Sequence, residues 1–458
     1  MTVLFVAFEF PPLATAGVRR PMGFAKYLAE FGVTPVVVTT DQASFRQVMD
    51  APLDKSLLVE LPADLAIERV PCPRRGPKPN SKFAEWRRIF FSLVEEQAPF
   101  WKPELAAVLP RLVEKHQPKA IYVTVPPFGM GPLWCDLAQR LMLPLVLDFR
   151  DAWSQWMIGP WGSWLHYRLS LGLERRCLEA ATRVVCTSEQ SRRDFLRVHP
   201  HIRPEKFSVI TNGYDQEMED RRSDIRSPHG RPFTISYVGN FYYNPAARAG
   251  MMRPWWSKRP NRIIQYAPRR EDWLYRSPYF FFKTVACLLQ RNPDLRAHLR
   301  IRFAGAKPEW IDAQVAEFRL SGMVEFLGYL DHPKVLAFQR ECDCLLVTSS
   351  KVIGGEDYSI AGKTFEYFSL CKPVLGFVAE GAQKNILSKS GMAVICNPDN
   401  VEESATKLSD LISGKTRLEP NTAFLRSLHR RELTRKLADV LREAVHEELP
   451  RMHQDELR

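Results

Sequence analysis

Two carboxylates follow one of the most apolar runs of the chain. Asp148 and Asp151 lie in the string LVLDFRDAW (145–153), and the run before them reads as the end of a buried strand. Ligands of open α/β sheets bind beyond the carboxyl ends of the strands, where a carboxylate can accept a hydrogen bond from a hydroxyl group or act as a base. We therefore expect both residues near a ligand, with helix capping as the alternative for Asp151.

A second group of polar residues surrounds a predicted helix start. In residues 347–378 a strand ends, a glycine-containing loop follows, and a helix begins near Gly362. The backbone amides from Ser359 to Lys363 would face a ligand, and Glu366 lies one turn on, on the same helix face as Lys363. A helix N-terminus supplies only about half a positive charge. A diphosphate carries more negative charge than that, so this site needs Lys363 and further cations.

A glycine turn follows the first predicted strand. In FEFPPLATAGVRRPM (8–22) two prolines end the strand, and Gly17 precedes a helix that begins near Arg20. Exposed amides of a helix start, beside a glycine that lets another group approach, form an anion site. An ordinary turn between strand and helix is the alternative.

Other catalytic motifs are incomplete. AGKT (361–364) ends like a phosphate-binding loop, but the required first glycine falls on Asp357, which disfavours an ATPase. Gly129 and Gly131 are followed by Trp134 where a dinucleotide site needs glycine. Cys342 has no zinc-type ligand pair nearby, and no serine lies in a Gly-x-Ser-x-Gly elbow. The chain has no Asp-x-Asp pair either, which disfavours an enzyme that holds a metal ion through such a pair.

The elements that would position these residues form two series. Near-continuous apolar runs alternate with amphipathic ones from Thr2 to about Gly213 and again from about residue 233, a pattern typical of parallel strands covered by helices on both faces. The sequence therefore predicts an α/β protein with two Rossmann-like, doubly wound domains facing a central cleft. The predicted bounds are 1–218 and 232–425, with a linker at 219–231 and a C-terminal helix within 426–458 that packs on the second domain or returns to the first.

Composition narrows the class of protein. The chain has 458 residues, of which 45% are hydrophobic and 25% charged, which excludes a mainly disordered chain. We expect nine reduced cysteines, no transmembrane helix and no signal peptide, hence a cytoplasmic location. The formal net charge of +12 favours anionic partners such as nucleotide phosphates, acidic lipids or nucleic acid.

Two segments mix aromatic and basic residues. They are 82–116 and 245–283, and the second contains nine Lys or Arg against two acids. Such mixtures suit the interface between water and anionic lipid. The alternative is that these residues form helices packed on the sheet with solvated basic edges. Nucleic-acid binding would also explain them, but no nucleic-acid module accompanies them, and we predict no nucleic-acid partner.

Six strings in order resemble the retaining family 4 glycosyltransferases of the GT-B fold. They are FPPLATAGVRRPMGFAKYLAEFG, DFRDAW, VVCTSEQSRRDF, FSVITNGYD, ISYVGNF and AGKTFEYFSLCKPVL, and the resemblance runs from about residue 1 to 445. It implies an enzyme that binds a nucleotide-activated sugar mainly through its C-terminal domain and the acceptor mainly through its N-terminal domain, without a cofactor.

The resemblance also implies roles for particular residues. Gly17 would close on the donor diphosphate, and Glu366 would hydrogen-bond the nucleotide ribose. Gly239, Asn240 and Arg276 match positions near the diphosphate. Backbone around Tyr329 and Leu330 would meet the base.

The predicted site divides into three sets of residues. Ser359 and Gly362 join the donor-binding set because of the helix start described above. Lys363 and Arg276 would stabilise the leaving-group charge, while Arg19 and Asp148 would bind the acceptor. In retaining members the acceptor is thought to attack from the leaving-group side, with the departing phosphate taking its proton, so Asp151 orients the acceptor rather than acting as a nucleophile.

The chain departs from the family pattern in two places. The family often has two glutamates seven residues apart, but the first position is Tyr358 here. Glu356 or Asp357 could substitute only out of register. The usual Arg and Lys pair after the first strand of the C-terminal domain is replaced by segment 245–283, in which Arg276 is the preferred stand-in and Arg248 and Lys283 are alternatives.

Together these features predict a retaining, metal-independent glycosyltransferase. Its acceptor would be a lipid-linked or polysaccharide precursor, reached as a peripheral protein at the inner membrane face. Two other functions stay open. A catalytically silent GT-B protein would explain Tyr358 and would bind no nucleotide sugar, and a GT-B sugar-nucleotide epimerase would consume donor without an acceptor.

Overall fold

Two compact units make up the chain. The computed structural model describes residues 1–44, 52–73, 81, 97–155, 160–219, 231–258 and 263–447. The first unit comprises Met1–Asp215, Ile264–Pro268 and the residues from Arg430 on, and the second comprises Gln216–Ile263 and Arg269–His429. Each unit has a parallel sheet of its own. The prediction of two doubly wound α/β domains with the GT-B architecture is confirmed.

A seven-stranded parallel sheet forms the centre of the first unit. Its strands are β1 Thr2–Ala7, β2 Thr34–Thr40, β3 Ala66–Val70, β4 Ala120–Val125, β5 Leu145–Phe149, β6 Arg183–Cys186 and β7 Phe207–Val209. Their order is β3-β2-β1-β4-β5-β6-β7. Every residue of β4 and β5 is buried, because helices cover both faces of the sheet.

The helices of the first unit follow the strands as crossover connections, together with the last helix of the chain. They are α1 Arg19–Tyr27, α2 Ser56–Val59, α3 Gln97–His116, α4 Met130–Leu141, α5 Trp164–Ala180, α6 Glu189–Val198 and the C-terminal α16 Arg430–His446. Leu437 and Leu441 of α16 are fully buried in a core shared with Phe24 of α1. Arg430 adds an ion pair of 2.6 Å with Asp215. The C-terminal helix therefore packs on the N-terminal unit.

The second unit has a six-stranded parallel sheet and a small antiparallel pair. Its strands are β8 Phe233–Val238, β9 Arg270–Asp272, β10 Leu299–Ala304, β11 Val324–Phe326, β12 Cys344–Thr348, β13 Lys351–Ile353, β14 Val374–Phe377 and β15 Ala393–Cys396. The parallel order is β11-β10-β8-β12-β14-β15, and β9 pairs with β13. Residues 351–353, which lie between the predicted strand and the predicted helix start at Gly362, are therefore tied to the basic segment by strand pairing.

The helices of the second unit lie between its strands and after its last one. They are α7 Pro245–Met252, α8 Tyr279–Arg291, α9 Leu295–His298, α10 Ile311–Glu317, α11 His332–Glu341, α12 Gly362–Ser369, α13 Ala382–Ser390, α14 Val401–Ile412 and α15 Thr422–Arg426. The helix predicted to begin near Gly362 begins at that residue. None of the helices in the described ranges is long and apolar enough to cross a membrane.

The predicted linker, 219–231, lies outside the described residues except at its two ends. Glu219 already belongs to the second unit, since its carboxylate lies 2.6 Å from Arg340 and its backbone N–H donates to Ser369 O at 2.8 Å. The predicted bounds 1–218, 232–425 and 426–458 stay predictions.

The two basic aromatic segments are described only in part. Residues 82–96 lie outside the described residues, and in α3 the side chains of Trp101, Leu105 and Leu109 are buried. In α3 these residues therefore pack inside the protein, which was the alternative to a lipid-facing segment. In 245–283, Phe281 and Phe282 are buried in the core, whereas Trp256 is 71% exposed.

Candidate functional site

The ammonium group of Lys363 is enclosed in the second unit without an acceptor. Lys363 lies in the first turn of α12, and its Nζ is 3.4 Å from the centroid of the Tyr237 ring. Within the described residues this buried atom has no hydrogen-bond partner. Burial lowers the pKa of Lys363 to about 7, although nearby Glu366 acts in the opposite direction. Because an unpaired buried charge is costly, this position favours an anionic ligand oxygen.

A tight glycine turn after β8 makes room for that ammonium group. Gly239 has φ +107°, and a Cβ on it would lie 3.1 Å from Lys363 Nζ. A Cβ on Gly305, which has φ +139°, would lie 2.5 Å from Gly239 O. Both positions favour glycine because of their positive φ, and Gly305 also because a side chain there would meet backbone.

Asn240 ties the same turn to its neighbours. Its Oδ1 accepts a hydrogen bond from Ala306 N at 3.1 Å, and its Nδ2 donates to the Tyr329 hydroxyl at 3.4 Å. Tyr329 is 77% exposed, and Leu330 beside it is half-buried. The structure thus brings Gly239, Asn240, Tyr329 and Lys363 into one neighbourhood.

Arg276 is held by a buried glutamate. Its Nε lies 2.6 Å from Glu271 Oε1 and also donates to Ser350 Oγ, while Nη2 donates to Ser359 Oγ at 3.4 Å. Glu271 is on β9 and only 1% exposed. Arg276 thus contacts Ser359, another predicted site residue, directly, and it is anchored by an acid that sequence reasoning missed.

The other two cations considered for that role lie elsewhere. Arg248 is paired with Asp272 at 2.5 Å, and Lys283 is exposed on α8. Of the three candidates, Arg276 is the one whose guanidinium is hydrogen-bonded to a predicted donor-binding residue.

Asp357 organises the loop before α12. Its Oδ1 accepts from the backbone N–H of Ser359 at 2.8 Å and from Ser359 Oγ at 2.6 Å, and its Oδ2 accepts from Ser350 N at 3.3 Å. Burial raises its pKa, and Arg276 opposes that shift. Both carboxylate oxygens are taken up inside the loop. Asp357 therefore does not replace a glutamate at position 358, where Tyr358 is itself 4% exposed.

The start of α12 leaves space beside its first residue. Gly362 is exposed, and a Cβ on it would meet no atom within 4 Å. Gln383 of α13 supports the turn by accepting a hydrogen bond from Ala361 N at 2.8 Å. Glu366 is half-buried one turn further. A ligand oxygen could approach the first amides of α12, which have no partner within the helix.

In the first unit, Asp148 has a different role from the one predicted. It lies within β5 rather than beyond it and is fully buried. Arg20 donates to both of its oxygens, at 2.8 and 2.7 Å, and Tyr122 donates at 2.6 Å. The carboxylate is a structural ion-pair partner, and this arrangement does not support acceptor binding by Asp148.

The turn that contains Gly17 is packed against the residues that follow β5. Arg150 donates to Gly17 O at 2.5 Å and lies 3.8 Å from the carboxylate of Glu9, which also accepts from Thr15. A Cβ on Gly17 would lie 2.3 Å from the Arg150 guanidinium. Gly17 is therefore closely surrounded by two charged side chains of its own unit.

The remaining predicted residues of the first unit lie near its surface. Arg19 forms an exposed ion pair of 3.6 Å with Glu60. Asp151 is half-buried, two residues beyond β5. It is thus the predicted acceptor residue that lies past the end of a strand.

The arrangement defines a two-unit α/β protein whose second unit has a buried lysine ammonium group in the first turn of a helix. A model of the glycosyl transferase 4-like domain matches residues 16–213, and a model of the glycosyl transferases group 1 matches residues 280–423. Together the two models match most of the chain. This chain belongs to the group 1, or family 4, glycosyltransferases of the GT-B fold. It is a nucleotide-sugar-dependent enzyme of a retaining family, as the sequence predicted.

Solved structures share the fold at low identity. Anabaena Alr3699/HepE in complex with UDP is 14% identical with a TM-score of 0.55 over 97% of this chain and 100% of that one. The alpha,alpha-trehalose 6-phosphate synthase of Burkholderia multivorans is 13% identical with a TM-score of 0.57 over 97% and 99%. The lipopolysaccharide outer core galactosyltransferase WaaB is 11% identical with a TM-score of 0.56 over 97% and 99%. Comparison with curated proteins finds no match.

Proposed function

We propose that this glycosyltransferase transfers its sugar to a lipid-linked or polysaccharide-precursor acceptor at the cytoplasmic face of a membrane. Two features support this proposal: the basic aromatic segment 245–283, and the fold that the chain shares with a lipopolysaccharide galactosyltransferase. The proposal that the second unit binds the donor diphosphate depends on one observation: the buried ammonium group of Lys363 has no acceptor among the described residues.

The donor diphosphate would bind between Lys363 and the first amides of α12, with Arg276 as the second cation. Breaking the bond to the anomeric carbon moves negative charge onto the diphosphate, and a preorganised ammonium group in a dry site stabilises that charge. Glu366 would hold the ribose, and Gly239, Asn240, Tyr329 and Leu330 would border the diphosphate and the base. Ser359 would orient Arg276.

In the first unit, Gly17 would belong to the donor-binding residues, and Asp151 and Arg19 would position the acceptor. The departing phosphate would take the proton of the attacking hydroxyl, so Asp151 orients the acceptor and makes no covalent bond. These roles are proposals.

A thermal-shift screen of UDP-, GDP- and ADP-sugars tests the donor proposal. A ligand that binds only the folded state raises the melting temperature by mass action. UDP-sugars come first, because the similar Anabaena structures are complexes with UDP and UDP-glucose. A rise with one base and none with the others supports the proposal. No rise with any donor would favour a silent binding protein, and isomerised donor without acceptor would favour an epimerase.

Glu366→Ala is expected to weaken donor affinity by about 1 to 3 kcal/mol, the range for losing a hydrogen bond to a buried or charged group. Titration calorimetry with the donor selected by the screen measures the effect. Glu380→Ala is the matched control, because Glu380 is an exposed acid of the same unit paired with Lys384. Equal affinities for wild type and Glu366→Ala would remove the ribose role.

Donor affinity is also expected to depend on pH. The ammonium form of Lys363 binds the diphosphate, and its pKa before binding is about 7. Affinity should therefore stay level below pH 7 and fall above it, by at most about tenfold per pH unit, because one proton is taken up on binding. Calorimetry in two buffers of different ionisation enthalpy measures that uptake. A flat affinity from pH 6 to 9 contradicts the prediction.

A further inference from the structure

Helix α5 buries three polar residues beside Tyr167, Cys177 and Leu178, and the first half of its exposed side is largely apolar. His166, Ser170 and Glu174 are buried, although surface helices normally bury apolar residues and expose polar ones. The exposed side carries three large apolar residues, since Trp164 and Leu165 are each 58% exposed and Leu169 is 46% exposed.

The buried polar residues have partners that explain their position. Glu174 accepts from Ser154 N at 3.1 Å and pairs with His199 at 3.0 Å. The Tyr167 hydroxyl accepts from Gln155 at 3.1 Å. The buried side of α5 is therefore hydrogen-bonded to residues 154–155. These residues follow the proposed acceptor residue Asp151.

Within the described residues, nothing comparable covers the apolar side chains on the outer side of α5. Positions 165, 168, 169 and 172 follow the helical repeat and are all exposed. Arg168 lies 5.7 Å from the Trp164 ring centroid and forms no ion pair with any described residue. We define the α5 face as Trp164, Leu165, Arg168 and Leu169.

Residues 264–268, from the basic aromatic segment, join this neighbourhood. They belong to the first unit, where Tyr266 pairs with Trp161 by two backbone hydrogen bonds. The Tyr266 ring lies 4.9 Å from the ring of Tyr167 on α5. Ile264, two residues before, is 53% exposed. The basic aromatic segment thus brings another exposed apolar side chain to the unit that carries the α5 face.

We propose that the α5 face rests on an anionic lipid membrane. A tryptophan, leucines and an arginine that has no carboxylate partner in the described part of the chain suit the headgroup boundary, where rings and alkyl groups insert and cations meet anionic lipid. A second copy of the chain fits less well. One helix face with three apolar side chains offers far less than the roughly 800 Å² that each partner buries in a standard interface, and two copies of the face would bring their arginines together.

This inference rests on the proposed lipid-linked acceptor and names the surface that would meet its membrane. Because the inner side of α5 holds the residues after Asp151, docking of the outer side would place the acceptor loop close to the lipid surface. The membrane contact would then position the acceptor as well as the enzyme.

Sedimentation with phosphatidylglycerol-containing vesicles at low salt tests the proposal. The full chain is compared with the variant Trp164→Ser, Leu165→Ser, Leu169→Ser. Burial of each apolar side chain favours the membrane, so we expect the variant to lose about tenfold or more in partitioning. The matched control is Val59→Ser, Met142→Ser, since these residues of the same unit are 87% and 77% exposed. The control should bind like the wild type.

The outcomes separate this inference from the proposed function. Wild-type binding that the triple variant retains, or that the control loses equally, overturns the role of the α5 face but leaves membrane association standing. Absence of wild-type binding overturns both, while the thermal shift with a nucleotide sugar still reports the transferase. A concentration-dependent dimer in ultracentrifugation that the triple variant abolishes would assign the face to self-association instead. Arg168→Glu should lower vesicle binding, and added salt should lower it in the wild type.

Discussion

Lys363→Met is expected to weaken donor binding by about 1 to 3 kcal/mol, the range for a hydrogen bond to a charged group, and to leave the fold at least as stable as the wild type. The weaker donor binding and the equal or higher stability have the same cause. The ammonium group is buried over Tyr237, and the described residues offer it no acceptor. Without ligand this buried charge therefore lowers the stability of the fold, and a bound diphosphate compensates it. Replacing an uncompensated buried charge with an apolar side chain of similar length removes the cost.

The gain in stability should depend on pH. Burial lowers the pKa of Lys363 from 10.5 to about 7. Between these values the unfolded chain binds more protons than the folded one, so wild-type stability rises with pH there. Below pH 7 the cost is fully present. The advantage of Lys363→Met should therefore be largest at pH 7 or below and shrink toward pH 10.

Calorimetric melting at pH 6.5 and pH 9, with donor titration on the same samples, checks both effects. Lys384→Met is the control, because Lys384 lies in the same unit in a partly exposed ion pair with Glu380. We expect it to leave donor affinity unchanged. Unchanged affinity in Lys363→Met, or a melting temperature several degrees below that of the wild type, would show that Lys363 is a structural residue.

The two sheets could be predicted because their strands are buried on both faces. Runs such as AIYVTV in β4 and CLLVT in β12 are apolar almost throughout, and this signal survives without knowledge of partners. The strands β9 and β13 were missed. Each has three residues, which is too short for a periodic pattern, and they pair only because the chain returns across more than seventy positions.

The same difference between local patterns and contacts over a long sequence distance applies to the residues of the candidate donor site. Lys363, Gly362 and Glu366 could be placed because one helix start relates them locally. Glu271 could not, because its importance comes from Arg276 and Ser350, and Ser350 lies 79 residues away. In the sequence it is one of two acids within a basic segment, which gives no sign that it is buried.

Asp148 shows the limit of reasoning from strand ends. In LVLDF an aspartate before the last apolar residue resembles a strand boundary, yet β5 continues through Phe149. Arg20, which neutralises Asp148, is 128 residues away on α1. Only the packing of α1 on the sheet reveals that this carboxylate has a structural role.

That role leads to the largest stability effect we expect. Asp148→Ala should lower the free energy of unfolding by about 3 to 5 kcal/mol, because it leaves the guanidinium of Arg20 buried without its counter-charge. Arg20 is 6% exposed and Asp148 fully buried. The backbone oxygen of Thr211, 2.9 Å from Nη1, would be the main acceptor left to Arg20.

Urea denaturation of the wild type and four variants measures the effect. Asp148→Ala and Arg20→Met should each destabilise the fold, whereas the double variant Arg20→Met, Asp148→Leu should recover much of the loss, because neither charge then remains buried alone. Glu60→Ala is the control, since the Arg19–Glu60 pair is exposed and such pairs contribute about 1 kcal/mol or less. If Asp148→Ala left stability unchanged and instead raised the KM for the acceptor, the carboxylate would belong to the acceptor site, and the structural reading of the Arg20 pair would be wrong.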